Sequence, residues 1–252
     1  MELISFFNEV KEAAIAFSGG VDSSFLLYAA KRFECNARAY FVKTQFQPEF
    51  ELDEAVKFAE SLDMPLTVLS YDILAHEEIA RNSPERCYYC KSAIMKLIFD
   101  AAARDGYSAV LDGTNASDDA LDRPGMKAIH ELGVRSPLRE CGLTKKEIRA
   151  LLKAAKLSVW NKPAYSCLAT RVPFGTSLSE TLLSNVEDAE NALFDLGFSD
   201  FRARVCSDGT ALLQFTGDQL SDALDMEERI VSDISPYCRI VRIDRTAREK
   251  RP

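Results

Sequence analysis

A chain of 252 residues with 47% hydrophobic and 28% charged content has room for a real core, in one large domain or one domain with a smaller companion. No apolar run approaches membrane-spanning length and Met1-Glu2-Leu3-Ile4 lacks a basic leader, so no membrane partner and a cytoplasmic address are expected. The formal charge of −8 argues against a nucleic-acid footprint, and seven cysteines, an odd number, argue against a disulfide framework and for metal or redox chemistry.

Near the N-terminus, Ala13-Ala14-Ile15-Ala16 reads as an apolar strand. It runs into Phe17-Ser18-Gly19-Gly20-Val21-Asp22-Ser23-Ser24 and then a helix through Phe25, Leu26, Leu27, Ala29 and Ala30. Paired glycines let the backbone turn tightly and approach a ligand. The serine hydroxyls and the unpaired N–H groups of the new helix converge on the same spot, which suits a phosphate or pyrophosphate. Capping alone explains Asp22 and Ser23 but not the whole run. The turn is neither the Walker loop, since no Gly-Lys-Ser/Thr closes it, nor the G-x-G-x-x-G dinucleotide fingerprint.

Strands are expected at 37–42, 65–69 and 109–111, and helices at 48–62, 73–81 and 86–104. This alternation implies an α/β fold with a doubly wound parallel sheet. Ligands of such sheets sit beyond the carboxyl ends of strands. Asp112-Gly113-Thr114-Asn115 follows the last of these strands, so Gly113 and Thr114 are expected to face the same nucleotide as the Ser-Gly-Gly turn. Thr144-Lys145-Lys146-Glu147 fits a capping box that opens a helix to about residue 155. Residues 160–173 read as a loop. Beyond it, Leu182, Val186, Ala189, Leu193 and Leu196 mark an amphipathic helix. A hairpin at 201–205 and 211–215 around Asp208-Gly209, a helix at 219–232 and a strand at 239–243 complete a small α+β domain. The expected division is therefore 1–164 and 165–252, with 245–252 a frayed, solvated tail.

Cys87-Tyr88-Tyr89-Cys90 is a C-x-x-C at the start of a predicted helix. A redox pair fits the spacing but not the surrounding fold, and a structural zinc site would want a second such pair, which is lacking. With Cys167, three thiolates can hold a [4Fe–4S] cluster and leave one iron open. Cys35, Cys141, Cys206 and Cys238 read as small hydrophobes or incidental thiols. Arg202 and Arg204 alternate on a strand, so both point to one face and can grip a phosphate.

Ser18, Gly19, Gly20, Asp22, Ser23 and Ser24 resemble the PP-loop of the ATP pyrophosphatase superfamily. The resemblance implies ATP cleaved between its α and β phosphates, a loop that holds the leaving pyrophosphate, and an aspartate that helps place Mg²⁺. Further stretches narrow it: Asp112-Gly113-Thr114-Asn115 with Asp118-Asp119, Arg123-Pro124-Gly125, 131–138, Lys162-Pro163, and Ser166-Cys167 through Thr176. Together they resemble the LarE family of ATP-dependent sulfur transferases, over about residues 10–205.

That likeness implies adenylation of a carboxylate on a pyridinium dicarboxylate mononucleotide, followed by sulfur delivery, in the making of the nickel-pincer cofactor of lactate racemase. Some members sacrifice the cysteine matching Cys167, whereas others add a C-x-x-C and hold a [4Fe–4S] cluster. Cys87, Cys90 and Cys167 place this sequence with the second kind. Arg171, Glu190, Arg202 and Arg204 are implied as substrate residues, Cys167 and Asp22 as catalytic ones. Beyond Arg204 the likeness weakens, with Leu212-Leu213-Gln214 in place of the family's Arg-Ile-Glu strand. Implied partners are a small nucleotide substrate, sulfide or a sulfur-donor protein, and further copies of the chain in a homo-oligomer. The alternatives are a PP-loop enzyme that thiolates tRNA, one that uses ammonia, and a non-catalytic nucleotide-binding or metal-storage module.

Overall fold

A computed structural model describes residues 2–118, 124–206 and 208–249. Asp119, Arg123 and the tail from Lys250 onward lie outside the described residues. The chain divides into two compact units: Met1–Thr44, Glu49–Asp72 and Glu85–Lys162 form the first, and Gln45–Pro48, Ile73–Pro84 and Pro163–Pro252 the second.

In the first unit the order is α1 (Leu3–Glu9), β1 (Glu12–Ala16), α2 (Val21–Arg32), β2 (Asn36–Lys43), α3 (Glu49–Ser61) and β3 (Leu66–Ser70). It continues, after a piece assigned to the second unit, with α5 (Arg86–Arg104), β4 (Val110–Leu111), α6 (Pro124–Glu131), α7 (Pro137–Glu140) and α8 (Lys145–Ala154). The strands form one parallel sheet in the order β3-β2-β1-β4. Alternate side chains serve opposite faces. Ala13, Ile15, Ala37, Ala39 and Phe41 join a core with α1, α2, α3 and α8, whereas Ala14, Tyr40, Val42 and Val110 join Met95, Ile98, Ala101 and Ala102 of α5. Both faces are therefore covered, and the central strands read as continuous apolar runs because no face meets water. The sheet is the doubly wound one expected. Helix α1 was not anticipated. Its seven residues bury Phe6 and Phe7 but are too few for a periodic signal.

The second unit holds α4 (Glu77–Ala80), α9 (Glu180–Asp195), β5 (Phe201–Val205), β6 (Thr210–Phe215), α10 (Gly217–Asp225), α11 (Glu227–Ile234) and β7 (Ile240–Ile243). Strands β5 and β6 pair antiparallel, and β7 adds parallel to β6. Leu193, Phe198, Phe201, Leu213, Phe215, Ile230 and Ile234 fill its core. The expected helix at 219–232 is in fact two, interrupted at Met226, whose ψ of 11° leaves the helical region. The helix expected at 73–81 is a 3-10 turn, Ile73–Ala75, followed by α4, with the extended residue His76 (ψ 110°) between them. The loop at 160–173 carries two 3-10 turns, Ser158–Asn161 and Leu168–Arg171.

The pieces at 45–48 and 73–84 are tied into the second unit by backbone bonds: Leu168 N to Phe46 O at 2.9 Å, Leu178 N to Ala80 O at 2.7 Å, and Gly175 N to Asn82 O at 3.0 Å. The tail is a correction. Through Glu249 it is built in, with Arg248 N donating to Phe215 O at 2.7 Å, the Arg248 guanidinium on the Asp200 carboxylate, and Arg245 on Glu227 at 2.7 Å.

Candidate active site

β1 ends and α2 begins around the Ser-Gly-Gly turn. Gly19 takes the left-handed φ of +68° that glycine alone adopts without strain, and a Cβ there would press to 3.1 Å from Ala55 Cβ. Gly20 is the extended N-cap of α2, with no side chain capping the helix. The first-turn N–H groups are thus not consumed by a capping side chain. The hydroxyls brace the turn: Ser18 Oγ and Ser23 Oγ are 3.1 Å apart, and Ser23 Oγ donates to Gly20 O at 3.2 Å.

A second wall comes from the end of β4. Asp112, 3% exposed, accepts from Thr114 N (3.3 Å), Thr114 Oγ1 (2.6 Å) and Ser136 Oγ (2.6 Å), which leaves the carboxylate well satisfied and the turn after it rigid. Gly113 sits so close to α2 that an added Cβ would fall 2.7 Å from Ser23 N and 3.1 Å from Asp22 C. The structure thus brings Ser18, Gly19, Gly20, Asp22, Ser23, Gly113 and Thr114 together at the carboxyl ends of β1 and β4. Ser24 is fully buried in α2, its Oγ without a hydrogen-bond partner among the described residues.

Two lysines, Lys145 and Lys162, converge here. Lys145, first residue of α8, pairs with Asp22 Oδ2 at 2.6 Å. The helix that carries it starts with the expected capping box, Thr144 with Glu147, and its N-terminus is held by Ser117 Oγ (3.0 Å from Lys145 N). Lys162 donates to the Gly19 carbonyl at 3.0 Å. Burial pushes the Asp22 carboxyl above the ordinary aspartate value, outweighing the pull of Lys145 in the other direction. Asp22 Oδ1 is buried with no hydrogen-bond partner among the described residues. A hard cation such as Mg²⁺ takes one or two carboxylates and completes its shell with phosphate oxygens and water, so this lone oxygen beside a phosphate-shaped turn fits that ion.

In the second unit the implied substrate residues build a buried network. Arg171 and Glu190 are each 1% exposed and form a two-point ion pair, Nε to Oε1 at 2.8 Å and Nη2 to Oε2 at 3.0 Å. Arg171 Nη1 also donates to Ser166 O (2.7 Å) and Thr170 Oγ1 (2.9 Å). Glu190 further accepts from Ala203 N at 2.9 Å and from the Tyr165 hydroxyl. Arg202, 6% exposed, donates to Ala164 O at 2.6 Å, and Arg204 donates to Thr170 O at 3.1 Å and Gln214 Oε1 at 2.6 Å. Three guanidinium groups therefore hold carbonyls of the one segment, 164–170, that carries Cys167. Neither Arg202 nor Glu190 lies on a solvated face.

The family described as asparagine synthase matches residues 9–152, the sheet with the Ser-Gly-Gly turn. The chain is similar to the pyridinium-3,5-bisthiocarboxylic acid mononucleotide synthase of Lactiplantibacillus plantarum, 33% identical over 230 residues that cover 90% of this chain and 83% of that one. This chain belongs to the LarE family of ATP-dependent sulfur transferases, within the PP-loop superfamily. Uncharacterized proteins of Synechocystis sp. (34% identity; 80% of this chain, 76% of that one) and Methanocaldococcus jannaschii (30%; 90% and 86%) are similar as well.

Sulfur transfer directs attention to the thiols. Cys87, exposed, and Cys90, half-buried, lie near the start of α5, and Cys87 Sγ is 3.8 Å from an Arg86 guanidinium nitrogen. Cys167, half-buried, belongs to the second unit and precedes the 3-10 turn Leu168–Arg171; its carbonyl accepts from Thr170 N (2.9 Å) and Oγ1 (2.7 Å). Among the described residues no three His, Cys, Asp or Glu side chains stand together as a metal group. Burial pushes the Cys35 thiol up to about 11 and those of Cys141 and Cys238 upward, away from thiolate chemistry. No helix of the described residues is long and apolar enough to cross a membrane.

Proposed function

We propose that this LarE-family enzyme uses ATP to adenylate a carboxylate of a pyridinium dicarboxylate mononucleotide and replaces AMP by sulfur, giving a thiocarboxylate for a nickel-pincer cofactor. The observation that carries the reading is the likeness, over nine-tenths of the chain, to a synthase whose name states a bis-thiocarboxylate product. The turn geometry supports the ATP half. In the first step a carboxylate oxygen attacks the α-phosphorus, the bond to the β-phosphate oxygen breaks, and pyrophosphate leaves. The N–H groups of Val21, Asp22 and Ser23, at the start of α2, face the departing charge. Lys145 exchanges its hold on Asp22 for the phosphates. Asp22, through its unpartnered Oδ1, would hold Mg²⁺, which would supply charge neutralisation at the phosphates.

In the second step a sulfur nucleophile attacks the acyl carbon and AMP departs with the bonding electron pair. Cys167 is the thiol that the family likeness makes catalytic. Its segment is fixed by Arg171, Arg202 and Arg204, so the implied substrate arginines act in this conformation as clamps on that loop. A [4Fe–4S] cluster on Cys87, Cys90 and Cys167 is supported by the donor chemistry, three thiols of the kind iron–sulfur clusters prefer, and when bound would supply an iron open to sulfide. A sulfide or protein sulfur donor, a cytoplasmic setting and a homo-oligomer belong to the same reading. The test is direct: ATP, Mg²⁺, sulfide and the dicarboxylate mononucleotide are incubated with anaerobically purified protein. AMP, pyrophosphate and a sulfur-bearing product are expected together. Turnover of ATP only with ammonia, or only with tRNA, overturns the assignment.

A further inference from the structure

Between Ser18 and Ser24 the turn carries a single charged residue, Asp22, and that is an anion. A polyphosphate arriving there meets backbone dipoles but no cation from the turn itself, whereas a Walker loop includes its own lysine. The ammonium of Lys162 lies against this turn. It donates to Gly19 O at 3.0 Å and pairs with Glu54 Oε2 at 2.6 Å, its side chain 15% exposed. The backbone behind it is fixed by Arg149, which donates to the carbonyls of Trp160 (2.5 Å) and Lys162 (3.0 Å). An ammonium has three N–H donors, and the third has no partner among the described residues. Glu54 is 51% exposed, so its grip is the weak one of a solvent-screened pair.

We propose that Lys162 is a nucleotide-binding residue, the cation that the Ser-Gly-Gly turn lacks, held at Gly19 and Glu54 until a di- or triphosphate arrives. The inference rests on the reading of this turn as the ATP site and adds a phosphate ligand to it. Lys145 sits on the Asp22 carboxylate and reaches the phosphates only by leaving it, whereas Lys162 keeps its hold on Gly19 O, so the two lysines differ in how they meet the ligand. Gly19 O holds Lys162 from the backbone, so no side chain other than Glu54 has to move when a phosphate takes the third donor.

The test is calorimetric titration of wild type, Lys162→Met and Lys162→Arg with ATP, inorganic pyrophosphate and adenosine. Loss of a charge-assisted hydrogen bond should weaken ATP and pyrophosphate about ten- to a hundred-fold in Lys162→Met, leave adenosine unchanged, and be largely restored in Lys162→Arg. Amine acylation of the wild-type protein, read by peptide mass spectrometry, covers the case of a variant that does not fold. Saturating pyrophosphate should reduce labelling at Lys162 several-fold. Unchanged ATP affinity in Lys162→Met, or labelling indifferent to pyrophosphate, overturns the inference alone. Wild-type protein that binds neither ATP nor pyrophosphate overturns the reading of the turn as well.

Discussion

Arg171 and Glu190 meet through two parallel hydrogen bonds, 2.8 and 3.0 Å long, with both side chains 1% exposed. Glu190 also takes the Ala203 backbone N–H, so one carboxylate joins α9, β5 and the Cys167 segment. Removing one member of such a pair leaves the other charge buried and uncompensated, at a cost of about 3–5 kcal/mol. Glu190→Gln and Arg171→Ala should each lower the thermal midpoint without any ligand present. Arg171→Met combined with Glu190→Leu should lose less than the two single losses added together. Urea and thermal unfolding of the four proteins check this. Single variants of full stability but poor substrate binding would return both residues to direct substrate contact.

Asp22 presents the opposite balance. Its carboxyl is held above the ordinary value chiefly by burial, so in the folded protein it gives up its proton at higher pH than in the unfolded chain. The sign follows: folding is favoured by this group while it is protonated, and that contribution is lost as pH rises from the unfolded value, near 3.8, through the raised folded one. At neutral pH the charge is a cost kept for function. Asp22→Asn should therefore abolish pyrophosphate release while its midpoint at pH 7 is no lower than wild type, and its stability should depend less on pH across that window. A pyrophosphate assay and melts over a pH series that starts on the acid side of the unfolded value and runs to neutrality decide it.

How much of this was legible in the sequence depends on distance along the chain. The Ser-Gly-Gly turn, α5 and the Thr144–Glu147 capping box are local patterns, and they stand where expected. The partners of that turn are not local: Lys145 reaches Asp22 across 123 positions and Lys162 reaches Gly19 across 143. No periodicity marks a lysine that will meet a carbonyl so far away. Glu190 was similarly opaque, because a glutamate on an amphipathic helix is usually solvated, and its burial is explained by partners distant in sequence, Arg171, Ala203 N and the Tyr165 hydroxyl. The grouping of 45–48 and 73–84 with the second unit rests on backbone bonds such as Leu168 N to Phe46 O, which leave no trace in composition.

Gly113 is where two segments distant in sequence meet tightly. Its missing Cβ would lie 2.7 Å from Ser23 N and 3.0 Å from Ser23 Cα, both backbone atoms of the helix that starts the phosphate turn. Neither can yield by a rotamer change, so Gly113→Ala must push β4 and α2 apart. Overpacking of this kind costs about 1–3 kcal/mol. ATP binding should suffer beyond that, since Ser23 braces Ser18 and Gly20 in the same turn. Isothermal titration of ATP alongside a thermal melt would measure both. A variant that loses stability but binds ATP at full affinity would confine Gly113 to packing.

The source of the sulfur is the sharpest question for the thiols. If Cys87, Cys90 and Cys167 hold a cluster, replacing any one by Ala should lower iron and sulfide content and sulfur transfer together. Cys35→Ala should change neither, because Cys35 is buried, donates to Val10 O at 3.3 Å and carries a thiol pushed up to about 11. If Cys167 is itself the donor, its thiolate attacks the acyl adenylate, AMP leaves, and elimination across Cα–Cβ expels the thiocarboxylate with loss of the Cα proton, leaving dehydroalanine. The hydrogen bonds around Cys167 O and Ser166 O keep that segment in place in either case. Single turnover without added sulfide separates the two. The expected result is a Cys167 peptide of unchanged mass, with transfer dependent on all three thiols and restored by sulfide. A Cys167 peptide short of one sulfur, formed equally well when Cys87 and Cys90 are alanine, would establish the sacrificial route instead.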